Sequence, residues 1–538
     1  MKSLTGIINN ALQPHMQHFI PPHQTGFIKG RSTADAILRV SGILNTQRLT
    51  PLLLDFEKAY DRVSYEWLAY ILHKSKLPDK VIRLILAMNK NTNAQILVNN
   101  TLSERFKIKS GVKQGDPISS LLFVICLQPL LYALEEAGIK LHAHADDTVL
   151  FLKNNQQLTR ATELITIYEQ TTGQKLNKKK CSLLVNDKET NFNDHPYNET
   201  TEDRYLGINL THKGRITILP GTMDTYRDLL HIWKRRRLPL KDRVTLLNSY
   251  ARPKILYQLV FTDPPSTNWI SNIERWFLWS EQLTFYDNTK YKTRIAKPRL
   301  THPISLFGLV PIENNIDNRR AKLYATMRLK NPTLRYPPPD TNNTNRPSPL
   351  DLLFTATNKL INDGRLPRRV TNYNPTTLAK FIKTTTANKP IPLTKRQQHW
   401  EKMHSISIKK KLQEMRKLKC RSAITSFYWK LLNGALPTGN HRSPPVPCTC
   451  GEEENTEHIF EHKCPLLQQI TTQHHTLTDL LTSTNKQQTM QSLISLWTTW
   501  RTRCWLKHHP TAIQHIDING LFQSIQEEET NRQIVAFG

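Results

Sequence analysis

The amino-acid sequence predicts an α+β fold at the amino-terminal end, followed by a mostly helical region and a small cysteine-rich domain. Three observations lead to this prediction. Up to about residue 215, short apolar runs typical of strands alternate with segments of helical period. From 216 to about 335 the pattern is mostly helical and basic. Residues 448–464 then gather three cysteines and two histidines in one short segment.

The first strand and the helices after it are predicted from local patterns. Pro51 to Asp55 is an apolar run that ends on an acid. Ser64 to Lys76 has apolar residues at helical spacing, with Ser64 placed as an N-cap and Pro78 beyond its end. Val81 to Met88 is predicted to form the next helix.

A hairpin and a buried helix are predicted further along the same region. Asn99-Asn100 lies between the strand-like runs Gln95 to Val98 and Phe106 to Ile108, which indicates a hairpin. Ser119 to Ala137 is helical in pattern and apolar on nearly all sides, although Pro129 interrupts it. A helix that is apolar all round lies inside a domain. This one is too short to span a bilayer.

A proline-rich segment separates the two halves of the chain. Tyr336 to Pro349 holds five prolines among asparagines and threonines, which is typical of a linker. We therefore expect an α+β region at 1–215, a helical region at 216–335, a linker at 336–349, and a C-terminal helical region at 350–538 that contains the cysteine cluster.

The net charge of the 538-residue chain is +30, from 74 Lys+Arg and 44 Asp+Glu. So large an excess of one sign is best explained by a polyanionic partner, and nucleic acid is favoured over a membrane surface.

There are seven cysteines, and no signal-peptide pattern opens the sequence. An odd cysteine count in a long chain favours a reducing compartment. We expect an intracellular protein of cytoplasm and nucleus, neither secreted nor membrane-bound.

Two acidic features predict metal chemistry. Asp55 stands where an apolar strand ends, and Asp146-Asp147 lies between two apolar flanks that would form a hairpin. Adjacent carboxylates at the tip of an apolar hairpin are costly unless a cation neutralises them. Hard oxygen ligands of this kind suit Mg²⁺, and two such ions can run an in-line phosphoryl transfer. Taken alone, an Asp-Asp pair is more often an ordinary turn.

The segment Ser110 to Phe123 lies between the two acidic features. Gly111 and Gly115 allow a sharp turn or a close approach to a ligand, and Gln114 offers a neutral amide. Alone, this segment would be interpreted as a loop that leads into a helix. Its position between the two acidic features favours a functional interpretation of the segment.

The ordered set of segments resembles the reverse transcriptases of non-LTR (LINE-type) retrotransposons. The matching segments, in chain order, are QTGFIKGRSTADAI (24–37), LLLDFEKAYD (52–61), SGVKQGDPISSLLF (110–123), AHADDTVLF (143–151), GQKLNKKKCSLL (173–184) and RYLGINL (204–210). Six segments in the right order make a specific pattern over roughly the first 210 residues. The resemblance implies a right-hand polymerase with partial fingers, a palm and a helical thumb.

The resemblance also assigns roles to single residues. Asp55, Asp146 and Asp147 would hold two Mg²⁺ ions, and Lys180 would protonate the leaving pyrophosphate. The nucleotide would be bound by Arg31, Phe56, Tyr60 and Gln114. Tyr205, Leu206 and Gly207 would form the primer grip. The basic run Lys234 to Arg237 would track the duplex backbone, although a localisation signal is an alternative interpretation.

The sequence departs from the family pattern in two places. His144 stands where the family usually has Tyr or Phe. The resemblance also begins inside the fingers, and no segment resembles the endonuclease that many such elements carry upstream. These departures fit either a fragment of a longer element or a decayed copy.

The cysteine cluster predicts a zinc site. The candidate ligands are Cys448, Cys450, His458 and Cys464, with His462 as a rival for the histidine position. Thiolates with one imidazole suit a closed structural Zn²⁺ site, although one residue between the first two cysteines is shorter than the usual spacing. The segment resembles the cysteine/histidine motif after the thumb of many non-LTR reverse transcriptases, which implies a grip on element RNA or target DNA. The other cysteines, Cys126, Cys181, Cys420 and Cys504, are expected to be buried thiols.

The resemblance therefore implies an RNA-directed DNA polymerase that adds deoxynucleotides to a DNA 3′-hydroxyl on an RNA template. Its expected partners are an RNA template, a DNA primer or target and deoxynucleoside triphosphates; the oligomeric state is not predicted. Two alternatives remain: an inactive retroelement remnant that binds RNA, and a protein similar to a group II intron maturase.

Overall fold

A computed structural model of the chain gives its fold. The residues that the structure describes are 2–90, 92–186, 192–236, 238–263, 267–278, 284–286, 290–292, 309–310, 312–330, 348–367, 377, 380, 393, 395–415, 418, 420–433, 436, 438, 446–461, 463–469 and 475–537. They form two compact units. The first unit comprises Met1–Pro220, Gln258–Asp263 and Thr326–Thr355, and the second comprises Gly221–Tyr257, Pro264–Ala325 and Ala356–Gly538. Most of the predicted linker, 336–347, lies outside the described residues.

A five-stranded sheet is the centre of the first unit. Its strands are β1 (Thr50–Leu54), β6 (Lys140–His144), β7 (Asp147–Leu152), β8 (Ser182–Leu184) and β9 (Asn198–Thr200). Their order across the sheet is β6-β7-β1-β8-β9. β1 pairs antiparallel with both β7 and β8, so the strand predicted at Pro51 lies in the middle of the sheet. All but the first of its residues are buried.

The helices of the first unit between residues 2 and 172 are α1 (Lys2–Phe19), α2 (Thr33–Thr46), α3 (Tyr65–Lys74), α4 (Asp79–Lys90), α5 (Ser119–Glu136) and α6 (Asn155–Thr172), of which α2, α5 and α6 contact the sheet. The helices predicted near Ser64 and Val81 are confirmed as α3 and α4. Ser64 caps α3 as predicted, because its side chain accepts a hydrogen bond from the backbone N–H of Trp67.

Helix α5 is the central helix of the first unit. By length and composition it could cross a membrane, and 67% of it is buried inside the structure. Its apolar residues belong to one continuous core with residues of α1, α3, α4, α6 and the sheet. The prediction of a buried helix at Ser119 to Ala137 is therefore confirmed.

The predicted hairpin around Asn99-Asn100 forms, but its pairing differs from the prediction. Its strands are β2 (Asn93–Ala94), β3 (Leu97–Val98), β4 (Thr101–Leu102) and β5 (Phe106–Lys107). β3 pairs with β4 directly across the turn, and β2 pairs with β5 outside them. Both asparagines have positive φ angles, 48° and 63°, as a two-residue hairpin turn requires. The turn thus selects a partner nearer than the predicted Phe106 to Ile108.

A second, three-stranded sheet follows in the first unit, with strands β10 (Glu202–Tyr205), β11 (Ile208–Thr211) and β12 (Ile216–Thr217) in sequential order.

The second unit is mostly helical. Helices that begin in the predicted helical region are α7 (Thr222–Lys234), α8 (Leu240–Leu246), α9 (Arg252–Phe261), α10 (Thr267–Leu278) and α11 (Ile312–Lys330), with a π-helical turn at Leu247–Ala251 and a small ladder of β13 (Thr284–Tyr286) and β14 (Lys290–Lys292).

The rest of the chain is also helical in the part that the structure describes. The α-helices are α12 (Pro349–Asn362), α13 (Lys395–His404), α14 (Ile408–Met415), α15 (Ser422–Leu432), α16 (Thr456–Phe460), α17 (Leu477–Thr482), α18 (Lys486–His508) and α19 (Ile518–Phe537). Short 3₁₀ turns lie at Leu467–Gln469 and Pro510–His515. The cysteine segment lies between α15 and α17.

Candidate active site and cysteine-histidine cluster

Three carboxylates meet at one end of the central sheet. The β6–β7 hairpin pairs His144 with Asp147, so Ala145 and Asp146 form its turn. Leu54, the last residue of β1, pairs with Thr148 of β7. Because the strands are antiparallel, the next residue of β1, Asp55, lies beside Asp147. The fold therefore brings Asp55 together with Asp146 and Asp147, which lie 91 and 92 positions after it in the sequence.

The three acids repel one another electrostatically. Burial, followed by the charges of Asp146 and Asp55, raises the pKa of Asp147 from 3.8 to about 6. Burial also raises the pKa of Asp146, and the charge of Asp55 adds to this increase, while a backbone hydrogen bond opposes it. The charge of Arg204 lowers the pKa of Asp147. Because excess negative charge remains, this cluster of oxygen ligands fits a divalent cation such as Mg²⁺.

The segment around Asn177 holds the backbone of Asp55. The backbone N–H of Asn177 donates to the Asp55 carbonyl at 2.8 Å, and the Asp55 N–H donates to the Cys181 sulfur at 3.3 Å. Lys180 closes the same turn through its backbone N–H, and its side chain is exposed. Cys181 is buried, as predicted, but its contact with Asp55 was not foreseen, because the two residues are 126 positions apart.

The predicted nucleotide-binding residues lie in different environments. The Tyr60 ring stacks on Phe123, with centroids 5.1 Å apart, and its hydroxyl donates to Ser120 at 3.2 Å. Burial raises the pKa of Tyr60, and the charge of Asp146 adds to the effect, which places Tyr60 near the acids. Phe56 is only 7% exposed and belongs to the hydrophobic core.

Gln114 lies on the exposed loop before α5. Its amide nitrogen donates to the carboxylate of Asp61 at 3.1 Å. Asp61 also receives a hydrogen bond at its carbonyl from the Ser110 hydroxyl, at 2.9 Å. The loop that the sequence placed between the two acidic features is thus attached to the end of the first acidic segment, at Asp61.

The Arg31 side chain makes hydrogen bonds to backbone carbonyls. Its guanidinium donates to the carbonyls of Ile20, Pro21 and Gln24 at 2.7, 2.5 and 2.6 Å. The side chain is partly buried, and burial lowers its pKa. In the structure Arg31 therefore stabilises the loop between α1 and α2, and its role toward a nucleotide stays a prediction.

The predicted primer-grip residues form a tight turn. Tyr205 pairs with Ile208 at the end of β10 and β11, and Leu206 and Gly207 make the turn with φ angles of 46° and 77°. Tyr205 is only 3% exposed. The preceding residue, Arg204, is the cation that affects the pKa of Asp147. β10 therefore lies near the carboxylates.

The basic run in the second unit divides into two kinds of residue. The Lys234 ammonium lies 3.5 Å from the centroid of the Trp276 ring, and burial lowers its pKa to about 8. Arg235 and Arg236 are exposed, as a phosphate-binding surface requires, and Arg237 lies outside the described residues. Lys234 is thus engaged with an aromatic ring.

Four predicted zinc ligands converge in the second unit. One ligand atom each from Cys448, Cys450, His458 and Cys464 lies within 4.8 Å of all the others. The sulfurs of Cys448 and Cys464 are 3.8 Å apart, and the Cys450 sulfur is 3.3 Å from the His458 Nε2 atom. Tetrahedral coordination at a Zn–S distance of about 2.3 Å would place two sulfurs about 3.8 Å apart. The donor set therefore fits a metal ion, and the rival ligand His462 lies outside the described residues.

A buried ion-pair network attaches this cysteine segment to α18. Glu454 is 1% exposed and accepts hydrogen bonds from the Arg503 Nε atom at 2.7 Å and from the Lys507 ammonium at 3.1 Å. These contacts lower the pKa of Glu454 against the opposing effect of burial. The sequence analysis missed this network, because its members are 49 and 53 positions apart.

The four cysteines outside the cluster were predicted to be buried; this is confirmed for Cys126, Cys181 and Cys420 but not fully for Cys504. Cys126 and Cys420 are buried, and Cys504 is half-buried. Burial raises the pKa of Cys420 to about 12 and raises the pKa of Cys126 further. All seven cysteines are free in the structure.

Comparison with known proteins agrees with the resemblance. Residues 1–210 match the family profile described as reverse transcriptase (RNA-dependent DNA polymerase). The uncharacterized 149 kDa protein of transposon TX1 from Xenopus laevis is 24% identical over 307 residues, which cover 52% of this chain and 23% of that protein. The Pol polyprotein of the type-2 retrotransposable element R2DM from Drosophila melanogaster is 27% identical over 268 residues, which cover 44% of this chain and 25% of that polyprotein.

Among solved structures, a telomerase from Candida tropicalis in complex with a fragment of telomeric RNA aligns with a TM-score of 0.35 and 12% identity, over 72% of this chain and 56% of that one. The match to the curated relatives spans about a quarter of their lengths, 23% and 25%. Residues 1–210 are therefore similar to reverse transcriptases, and the curated relatives are proteins of a transposon and of a retrotransposable element.

Proposed function

We propose that this chain is an RNA-directed DNA polymerase of a non-LTR retroelement. The observation that carries the proposal is the meeting of Asp55, Asp146 and Asp147 at one end of the sheet, inside the reverse transcriptase domain. The proposed architecture is a right-hand polymerase, with partial fingers and palm at 1–215, a helical thumb at 216–335 and a zinc-binding C-terminal domain. Its place of action is inside the cell, in cytoplasm and nucleus.

The proposed reaction joins a deoxynucleotide to a primer. The primer 3′-hydroxyl gives its proton to solvent water, and its oxygen bonds to the α-phosphorus of the incoming triphosphate as the bond between that phosphorus and the oxygen bridging to the β-phosphorus breaks. Pyrophosphate leaves with the electron pair and takes a proton from the ammonium of Lys180. Two Mg²⁺ ions, when bound by Asp55, Asp146 and Asp147, supply Lewis acidity to the attacking and leaving oxygens.

Other residues of the domain shape the nucleotide site. Tyr60 is held by its stacking on Phe123 and by its bond to Ser120, so its ring forms a fixed wall near the acids. A rigid aromatic at this place would exclude a 2′-hydroxyl and favour deoxynucleotides. Gln114 is the candidate contact for nucleotide or template, and the turn at Leu206 and Gly207 is the candidate primer contact.

The C-terminal cluster is proposed to hold a structural Zn²⁺ ion. Cys448, Cys450, His458 and Cys464 offer four ligand atoms of the right chemistry at mutual distances that fit one ion. The net charge of +30 supports binding to nucleic acid, with an RNA template and a DNA primer or target as the proposed partners.

Primer extension tests the proposal most directly. The purified chain would be incubated with a poly(rA) template, an oligo(dT) primer, dTTP and Mg²⁺. Its activity would be compared with that of the Asp146→Ala/Asp147→Ala double variant. A matched control is Glu135→Ala/Glu136→Ala, which removes two adjacent and exposed carboxylates from the end of α5.

Extension by the native chain and by the Glu135/Glu136 control, with none by the Asp146/Asp147 variant, is the expected result. Absence of extension by every protein, with RNA binding retained, would contradict the enzyme and favour a remnant that binds RNA. Binding confined to a structured intron RNA would favour a maturase-like protein.

A further inference from the structure

The segment His23–Gly26 runs beside β6 as an additional edge of the central sheet. The Ala143 N–H donates to the His23 carbonyl at 2.8 Å, and the Thr25 N–H donates to the Ala143 carbonyl at 2.8 Å. Gln24 and Ala143 form a parallel bridge. This edge leads directly to the turn that carries Asp146 and Asp147.

The side chain of Gln24 satisfies both backbone groups of Ala145. Its amide oxygen accepts hydrogen bonds from the N–H groups of Ala145 and Gly26, both at 2.8 Å. Its amide nitrogen donates to the Ala145 carbonyl at 3.3 Å. Gln24 is fully buried and Ala145 is 2% exposed, so water does not replace these bonds. Buried backbone groups without partners are costly, and one side chain therefore fixes this peptide unit.

Ala145 requires such support, because its backbone is left-handed. Its φ angle is 58°, a region that residues with a β-carbon rarely occupy. A change to the ordinary right-handed or extended region would rotate the following peptide and redirect Asp146. Gly26 allows the approach of the supporting loop, because a β-carbon at position 26 would lie 2.2 Å from the Ala145 nitrogen.

We propose that Gln24 is a positioning residue for the paired carboxylates Asp146 and Asp147. By bonding to both the N–H and the carbonyl of Ala145, it holds the left-handed turn that aims the two acids at one end of the sheet. The link to catalysis rests on the proposed polymerase function, whereas the hold on the turn does not depend on it. Sequence spacing gives no indication of this role, because Gln24 and Ala145 are 121 positions apart.

The chain offers a matched control in Gln13 of α1. Gln13 makes a similar pair of bonds to the same loop: its amide nitrogen donates to the Phe27 carbonyl at 2.9 Å and its oxygen accepts from the Lys29 N–H at 2.8 Å. Gln13 bonds to the far side of the loop, and none of its hydrogen bonds reaches Ala145. Gln24→Met and Gln13→Met therefore remove equivalent amides with different relations to the acids.

Two measurements on the full-length chain test the proposal. In primer extension, we expect Gln24→Met to lower kcat roughly tenfold to a hundredfold, since small misplacements of catalytic groups have effects of this size. We also expect the Mg²⁺ concentration for half-maximal rate to rise, while the KM for dTTP changes little. Gln13→Met should keep kcat within about threefold of the native chain, since its contacts do not touch the acidic turn. Thermal unfolding of both variants shows whether they are folded.

Hydrogen exchange tests the hold on the turn independently of activity. Gln24→Met should accelerate amide exchange across residues 143–148, and Gln13→Met should not. If the native chain does not extend a primer, the proposed function fails while the exchange result still decides whether Gln24 holds the turn. The proposal is overturned if exchange at 143–148 is the same in both variants. Equal losses of kcat in the two variants would also overturn it.

Discussion

Two regions of this molecule handle carboxylates in opposite ways. In the region that matches reverse transcriptases, Asp147 lies beside the charges of Asp146 and Asp55, and burial together with these charges raises its pKa to about 6. In the C-terminal region, Glu454 is 1% exposed and bonds to Arg503 and Lys507, and its pKa falls. Asp147 is therefore surrounded mainly by negative charge, whereas Glu454 has two cations beside it.

This difference separates a binding site from a structural contact. A buried charge without an opposite charge beside it lowers the stability of the fold. Such a charge persists where a ligand or a reaction requires it. A buried charge with matched partners requires no ligand. The same substitution, carboxylate to amide, should therefore have opposite effects on the stability of the two regions.

The largest expected effect is on catalysis. Asp147→Asn removes one proposed metal ligand and should lower the extension rate by about a thousandfold, because metal ligation contributes several kcal/mol to the transition state. In a buffer without Mg²⁺ the same variant should unfold at an equal or higher temperature, because the repulsion from Asp146 and Asp55 is removed. Primer extension with Mg²⁺ and thermal unfolding without Mg²⁺ measure the two effects. A large decrease in the unfolding temperature would show that Asp147 is structural.

The second prediction concerns the cysteine-histidine cluster. Cys464→Ser, or removal of metal by a strong chelator, should unfold the C-terminal region, since structural zinc contributes folding free energy directly. Metal analysis of the purified chain should find about one zinc per molecule, as expected for a four-ligand structural site. Cys504→Ser is the control, because this half-buried thiol lies outside the cluster. Limited proteolysis measures the unfolding of the C-terminal region. Equal resistance to the protease in the Cys464 variant and the control would contradict a structural metal site.

A smaller effect is expected at Glu454. Glu454→Gln leaves Arg503 and Lys507 without a carboxylate and should destabilise the C-terminal region by about 3 kcal/mol. Glu452→Gln is a matched control in the same segment, because the side chain of Glu452 is exposed. Urea unfolding followed by the fluorescence of the tryptophans on α18 measures the difference. Identical midpoints for the two variants would show that the ion pairs contribute nothing.

The parts of the fold that could be predicted from sequence depend on local interactions. The N-cap at Ser64 and the hairpin that carries Asp146 and Asp147 follow from spacing over a few residues. The hairpin at Asn99 and strands within its flanking runs were predicted, but the pairing of those strands was wrong, since turn geometry selected a nearer partner for Leu97–Val98. Spacing of this kind is visible along the chain because the interacting residues are neighbours in sequence.

The polar contacts that hold the site could not be predicted in this way. Gln24 bonds to Ala145, and Cys181 bonds to Asp55, across more than a hundred positions each. Such contacts depend on how the elements pack, and no periodicity along the chain encodes them. Arg31 shows the same limit, because the motif suggested a ligand contact and the structure shows three carbonyl partners.

The smallest expected effect is a dependence of stability on pH, and its sign differs between the two carboxylates. The folded pKa of Asp147 is about 6, above its ordinary 3.8, so between these values the native state binds more protons than the unfolded state. Stability from this group is therefore present below pH 3.8 and is lost as pH rises through 6. Without Mg²⁺, the gain in unfolding temperature from Asp147→Asn should be absent near pH 3.8 and reach its maximum above pH 6.

Glu454 should behave in the opposite sense, because its pKa in the folded chain lies below the ordinary 4.5. Its ion pairs contribute stability above pH 4.5, and this contribution is lost as pH falls through the folded pKa. The loss of stability in Glu454→Gln should therefore be constant near neutral pH and shrink in acid. Unfolding temperatures of the two variants and the native chain, measured without Mg²⁺ and without a chelator from about pH 3 to pH 8, test both curves. Parallel curves for the two variants would contradict the electrostatic contrast. The gain from Asp147→Asn should grow between pH 3.8 and pH 6, whereas the loss from Glu454→Gln should be complete near neutral pH and shrink only below pH 4.5.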